Sequence, residues 1–434
     1  MLSHRNPARK FAHTLLFTGL VLGMASAQAA PAYKVTNGND LGKGSLREAL
    51  SSGASKIVIQ PSVSVINIES TLTYNGTAPL VIKGSGQVVD GGGNGNTLLA
   101  VTRGADLAVS NLMFTDNAFY EQRWQGGGEG ILLDVPPERT GVVQLKLTNV
   151  TVTGVGDHGV HVLDCDLPDC GAGGGGAGDG SPASIEVELN GVTIDRVGLG
   201  HFDADGLRVD ERAEGSITLH AVKSRFSAVG ADGVELDEGG AGDVILNLSQ
   251  VSFTGNGAYC DGLPEELPGV NDSPLADPLD AACYDDGEID LDDGFDVDEA
   301  GEGSIVGRIT NALVSDNFDE GLDFDEAGDG GYGIKLVNIR AYRNFDEGIK
   351  LSAEDDGDLV ARLHRVLVTD SDDDGVQIEQ DGEGIVDVVV TASVISQNAK
   401  KDLKVEQSQD APSGTLKVRG SRIEIIDTDN VDEI

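Results

Sequence analysis

The stretch DDGFDVDEAGEG, residues 292–303, sets six carboxylates in twelve residues, and DEGLDFDEAGDG repeats the phrase 27 residues further on. Carboxylate oxygens are hard donors, so aspartates clustered in this way suit a hard cation such as Ca2+. Asp237, Asp296, Asp298, Asp323 and Asp325 are the expected ligands, and DDGEIDLDDG at 285–294 offers further oxygens. The spacing is not that of an EF-hand loop, which needs D-x-[DN]-x-[DN]-G and a closing glutamate. A second constellation mixes residue types: His161, Arg208, Asp210, Glu235 and Asp237. A histidine, an arginine and paired carboxylates supply the general acid and base that a glycosidic bond requires. With Ca2+ alongside, the same patch suits a polysaccharide lyase in which Arg208 or Lys350 takes the proton beside a uronate carboxylate. No GxSxG, Walker loop, HExxH or dinucleotide fingerprint occurs in a fitting context.

Such residues meet only if the chain is periodic. The glycine of each D-G-φ-x-φ phrase falls at 206, 233, 294, 321, 348 and 375, and Asp402 takes its place in a further copy. Most steps are 27 residues; the step from 233 to 294 contains an inserted loop at 257–290, and the step from Gly159 to Gly206 one at 164–183. One and three residues after the anchor the side chains are apolar, as in Leu207 and Val209, Phe295 and Val297, or Leu322 and Phe324. This alternation marks a strand with one buried face. Further runs, such as Val244, Leu246 and Leu248 followed by Val251 and Phe253, make three short strands per repeat.

A coil of this kind buries its edges only by stacking on the next, which sets equivalent residues about 4.8 Å apart. The residues two and four after the anchor then point outward. Glu235, Asp296, Asp323 and Lys350 form one outward column, Asp237, Asp298 and Asp325 another, with Glu211, Glu238, Glu299 and Glu326 next door. Like charges about 4 Å apart repel by ~1 kcal/mol in water and ~4 kcal/mol at an effective dielectric near 20. Bound cations, raised carboxylate pKa values or splayed, solvated side chains must offset that repulsion.

Four residues before the anchor stand Asn317, Asn344 and Asn398, with Ser371 in the same column. Stacked coils with such an asparagine ladder resemble the right-handed parallel β-helix of the pectate-lyase-like superfamily. VTNGNDLGKGSLREAL, residues 35–50, resembles the N-terminal segment of bacterial β-helix surface proteins with a SLREA signature, and its Ser45 and Glu48 have capping-box spacing. FTDN at 114–117 and FTGN at 253–256 match a tetrapeptide of chlamydial-type surface β-helices. The expected fold is all-β: a single-stranded right-handed parallel β-helix over 31–434, covered at its open end by a short helix. That fold hosts lyases, hydrolases, epimerases, adhesins and phage proteins, so function must be read from the site. The G-H-G and R-I-K segments of polygalacturonases do not occur, and no catalytic residue is carried over from them.

Composition agrees with an all-β chain of many tight turns: 434 residues with 60 glycines and 4% aromatics. Residues 1–30 read as a signal peptide, with Arg5, Arg9 and Lys10, an apolar run from Leu15 to Met24 and a small-residue cleavage site at Ala29 or Ala30. An exported protein at the periplasm, cell surface or outside the cell is therefore expected, as a monomer with no integral membrane segment. Loop-closing disulfides Cys165–Cys170 and Cys260–Cys283 fit that location. The formal charge of −43 argues against nucleic acid and anionic membranes as partners. Divalent cations and an extracellular polysaccharide are the expected partners. Two functions stand open: a surface or matrix binding protein with a cation-loaded acidic face, or a lyase or hydrolase working around Arg208 and Asp237.

Overall fold

The computed structural model describes residues 32–121, 124–165, 180–201, 203–258 and 292–434. The expected signal peptide, most of both inserted loops, and Cys170, Cys260 and Cys283 lie outside these residues, so neither cysteine pairing falls within them.

The 27-residue period is the coil. Strand Asp296–Glu299 pairs in parallel with Val234–Glu238 on one side and Asp323–Ala327 on the other. Asp237, Asp298 and Asp325 are successive Cα partners, so the register survives the insertion between the first two. Repetition of this pairing builds a twelve-stranded sheet of anchor strands and a 23-stranded sheet of the other two strands of each coil. One antiparallel ribbon, Phe119–Glu121 with Trp124–Gly126, stands outside them. Parallel strands joined by crossovers wind right-handed, and the chain is a right-handed parallel β-helix.

Apolar columns fill the interior. Phe226, Phe253, Phe295 and Phe324 stack through successive ring contacts of 5.4, 5.3 and 5.2 Å, all fully buried. Next to them runs the asparagine ladder. Asn256 Nδ2 donates to Asn317 Oδ1 at 3.1 Å, and Asn317 Nδ2 to Asn344 Oδ1 at 3.0 Å. The backbone is left-handed one residue before these asparagines, at Asp316 (φ 61) and Arg343 (φ 55). The ladder itself satisfies buried backbone: the N–H groups of Asn317 and Ser371 donate to Asn344 and Asn398. Phe114, Asn117, Phe253 and Asn256, the outer residues of FTDN and FTGN, are all buried here and serve the coil.

At the N-terminal end the helix Leu46–Ser51 buries Leu46, Ala49 and Leu50 on the first coil. Ser45 Oγ accepts the Glu48 N–H at 3.2 Å, and Glu48 Oε2 reaches back to the Gly44 N–H at 2.6 Å. The expected capping box is present, displaced by one residue on its return arm.

Candidate functional site

Three consecutive anchor strands, Val234–Glu238, Asp296–Glu299 and Asp323–Ala327, carry the acidic face. Glu235, Asp296, Asp323 and Lys350 are successive partners in one column. Oxygens of Asp293, Asp296 and Asp323 lie within 4.8 Å of one another, as do those of Glu235, Asp296 and Asp298. Asp293 occupies the position just before the anchor glycine. In the preceding coils that residue accepts the next coil's N–H: Asp232 N–H donates to Asp205 at 3.0 Å and Asp293 N–H to Asp232 at 2.5 Å. The chain of bonds stops at Asp293, whose Oδ1 is buried with no hydrogen-bond partner, and Asp323 Oδ1 is in the same state. These residues are 8% and 7% exposed. A buried oxygen left without its bond costs about 1–3 kcal/mol. Burial, and then the neighbouring carboxylates, push Asp293, Asp296 and Asp323 well above the ordinary carboxylate range and Asp298 up to about 7. Lys350 contributes one positive charge, its Nζ 2.7 Å from Asp323 Oδ2 and 3.3 Å from Glu320 Oε1.

Asp237, expected among the cation ligands, is engaged elsewhere. Arg212 Nη1 donates to its Oδ1 at 2.7 Å and Nη2 bonds its Oδ2, the two-pronged match of guanidinium and carboxylate. The free oxygens of the acidic face begin one coil later.

The mixed patch assembles as its spacing predicts, but not on an open surface. His161, Arg208, Asp210, Glu235 and Asp237 are all between 0% and 7% exposed, where the strand alternation predicts solvated side chains. Opposite charges on adjacent coils cover one another. His161 Nδ1 lies 2.9 Å from Glu129 Oε1 and its Nε2 2.8 Å from Asp210 Oδ2. Arg208 reaches Asp203 at 3.0 Å, Asp205 at 3.2 Å and Asp210 at 3.2 Å, and also binds Glu235. Burial opposes the Arg208 charge, but Glu235, Asp210, Asp205 and Asp203 outweigh it and hold the guanidinium protonated. Lys350 is held protonated in the same way by Asp323, Asp325 and Glu320.

Around Arg208 the carboxylates are driven apart. Burial and the Asp205 charge lift Glu235 well above its usual range, and Asp203 rises to about 6 for the same two reasons. Burial also acts to raise Asp205, but His158 and Arg208 overcome it and bring it to about 2. Burial acts against the His161 imidazolium, yet Asp210 and Glu129 lift it to about 9.

The third acidic column departs furthest from expectation. Glu211, Glu238, Glu299 and Glu326 are in register but at most 1% exposed. Glu211 and Glu238 fold back into the turn that ends each strand, while the oxygens of Glu299 and Glu326 are buried without a hydrogen-bond partner. Glu211 accepts the N–H groups of Gly215 and Ala213 at 3.0 and 3.3 Å, and Glu238 those of Gly242 and Gly240 at 3.1 and 3.2 Å. After Ala353, Gln380 and Gln407 continue the column, and Gln380 Nε2 donates to the carbonyls of Asp355 and Gly357, both at 2.9 Å. Burial is the first cause that lifts Glu211 to about 8, Glu238 to about 10, Glu299 to about 7 and Glu326 to about 8.

Several residues of these clusters lie outside the outward columns, among them Glu129, Asp203, Asp205, Arg212 and Asp293, the last already expected within 285–294. Two left a signal. Arg212 stands where other copies have Gly239, Ala300 and Ala327, and Asp293 belongs to an acidic column with Asp205, Asp232, Glu320, Glu347 and Asp374.

No family model and no curated protein matches the chain. Among solved structures it is similar to tailspike protein 2 of a bacteriophage of Escherichia coli O157:H7, at 11% identity and a TM-score of 0.42. That match covers 79% of this chain and 40% of the tailspike, so the chain spans under half of the phage protein. It is also similar to the pectate lyase Pel9A, at 12% identity and a TM-score of 0.38, over 92% of this chain and 79% of that one. A GH136 lacto-N-biosidase from Eubacterium ramulus matches at 10% identity and a TM-score of 0.38, over 93% of this chain and 67% of that one. At these scores the likenesses carry no argument about chemistry, and the solenoid rests on the strand register itself.

Proposed function

We propose that this chain is an exported β-helix that engages carbohydrate and holds a hard divalent cation, Ca2+, on its acidic face. Asp293, Asp296 and Asp323 are the central ligands, with Asp298 and Asp325 beside them. One observation carries the reading: Asp293 and Asp323 each bury an oxygen that has no hydrogen-bond partner, within a cluster of three carboxylates. A cation coordinates those oxygens and cancels their mutual repulsion in the same step. Ca2+ fits better than Mg2+ because it accepts irregular sets of six to eight oxygens. Equilibrium dialysis of chelator-stripped protein against Ca2+ tests the site. At least one tightly held ion per chain is expected, lost in Asp293→Asn/Asp323→Asn and kept in the exposed-site control Asp432→Asn. Wild-type protein that takes up no Ca2+, or a double variant that binds as well as wild type, rules the site out.

A second reading, cleavage of a glycosidic bond, is favoured by the separation of proton affinities around Arg208. There burial and the Asp205 charge raise Glu235 above its usual range while Asp205 is brought to about 2, a separation of the kind that assigns a general acid and its partner. It predicts reducing-sugar release from a polysaccharide panel, lost in Glu235→Gln. A panel without release removes it and leaves the binding function.

A further inference from the structure

The 23-stranded sheet carries a feature that runs against the composition. Its strands Ile305–Thr310, Tyr332–Val337 and Leu359–His364 align Arg308, Lys335 and Arg362 as successive partners. The chain as a whole has a formal charge of −43. Arg308, Lys335, Arg340 and Arg365 are exposed and form no ion pair among the described residues, while Arg362 is held by Asp387.

Beside this ladder the chain bends through Asn311, Asn338 and Arg365, with φ of 56, 55 and 55, into the strands Leu313–Ser315, Arg340–Tyr342 and Leu367–Thr369. Two hollows lie along this bend, and we treat them together as one groove. One, of about 590 Å³, is lined by Arg308, Lys335, Arg362 and His364; the other, of about 490 Å³, by Asn338, Arg340, Arg365 and Leu367. Asparagine suits the left-handed bend, and Asn338 Nδ2 bonds Asn311 Oδ1 there at 3.0 Å. At the next bend stands Arg365, a residue that tolerates this backbone less well and that lines the groove.

We infer that this groove binds an anionic polysaccharide, its acid groups along the cation ladder and its sugar faces against Leu313 and Leu367. Stacked coils repeat the cations about every 4.8 Å, on the scale of one sugar ring along an extended glycan. Arginine presents a planar fork that matches a carboxylate or sulfate. Charge screening over about 8 Å at physiological salt lets a polyanion sense the local ladder rather than the distant acidic columns. A single-stranded nucleic acid would call for open aromatic faces; neither hollow is lined by an aromatic side chain other than His364, and Tyr342 on the strand Arg340–Tyr342 is covered by Arg343, whose Cζ lies 4.6 Å from the ring. The groove shares no residue with the proposed cation site, and the two inferences stand separately.

Calorimetric titration with polygalacturonate, run in chelator at low and at high salt, tests the groove without Ca2+. Wild-type protein is expected to bind at low salt and release at high salt, with neutral dextran giving no heat. Arg308→Gln/Lys335→Gln/Arg365→Asn should bind about ten-fold more weakly, the sum of three exposed ion pairs, and Asp293→Asn should bind as wild type. The single exposed change Lys335→Glu reads the same loss if the triple variant folds poorly. Unchanged binding by both groove variants, absence of binding by wild type, or preference for a single-stranded oligonucleotide overturns the proposal. So does a salt-sensitive self-association lost in the groove variants, which would give the groove to the acidic face of a second copy.

Discussion

Arg212 shows how one departure from a repeat redirects its neighbours. Its counterparts Gly239, Ala300 and Ala327 offer no charge at that position, so the coil of Asp296 and Asp298 has no arginine of this kind to draw on. Arg212 binds Asp210 of its own coil and Asp237 of the next, both fully buried. Removing one partner of a buried ion pair leaves an uncompensated charge, at a cost of about 3–5 kcal/mol. Arg212→Ala is therefore expected to lower unfolding stability by that amount, and Arg212→Ala/Asp237→Ala to recover part of it. Denaturant titration reads both; a single variant within about 0.5 kcal/mol of wild type would show that the pair is solvated.

At the scale of the element, the buried glutamate column governs the response to pH. Each of Glu211, Glu238, Glu299 and Glu326 holds its proton more tightly folded than at its ordinary 4.5. A group whose folded pKa is raised contributes stability that is whole below the ordinary value and is lost as pH rises through the folded one. For this column that window runs from 4.5 to about 10. His161 adds to the same slope, losing its contribution between 6.5 and about 9. Stability should therefore fall between about pH 5 and pH 9. Glu238→Gln, which copies Gln380 and Gln407, should recover about 1–3 kcal/mol at the alkaline end and change little at the acid end. Equal denaturation midpoints for wild type and variant at both ends would refute a proton-holding ladder.

The same elements show what the sequence could and could not tell. The period was legible because apolar residues such as Val297 and Phe324 recur at fixed distance from each glycine, and period alone fixes register. Asn317 and Asn344 were legible for the same reason. Alternation tells whether a side chain points away from the core, but not whether another side chain then covers it. Arg208, His161 and Asp210 are paired with Asp203, Glu129 and Arg212, which lie outside the outward columns. The re-entrant groove depends on a backbone bend shared by residues as unlike as Asn311 and Arg365, which carries no common letter.

Across the whole molecule, stacking turns each sequence column into a line of charge, so a single β-helix can present an acidic face on one sheet and a cationic groove on the other. Stability of such a solenoid is a sum of coil and interface terms, and the repulsion among acidic coils is the term that an ion can cancel. Thermal unfolding of the chelator-stripped chain, with and without Ca2+, at about pH 8 and about pH 5, measures that term directly. At the higher pH, Ca2+ at a hundredfold excess over its Kd should add about 2.7 kcal/mol and raise Tm. At the lower pH the effect should shrink, because Asp293, Asp296 and Asp323 keep their protons. A Tm indifferent to Ca2+ at the higher pH, or an equal rise in Asp293→Asn/Asp323→Asn, would contradict the account.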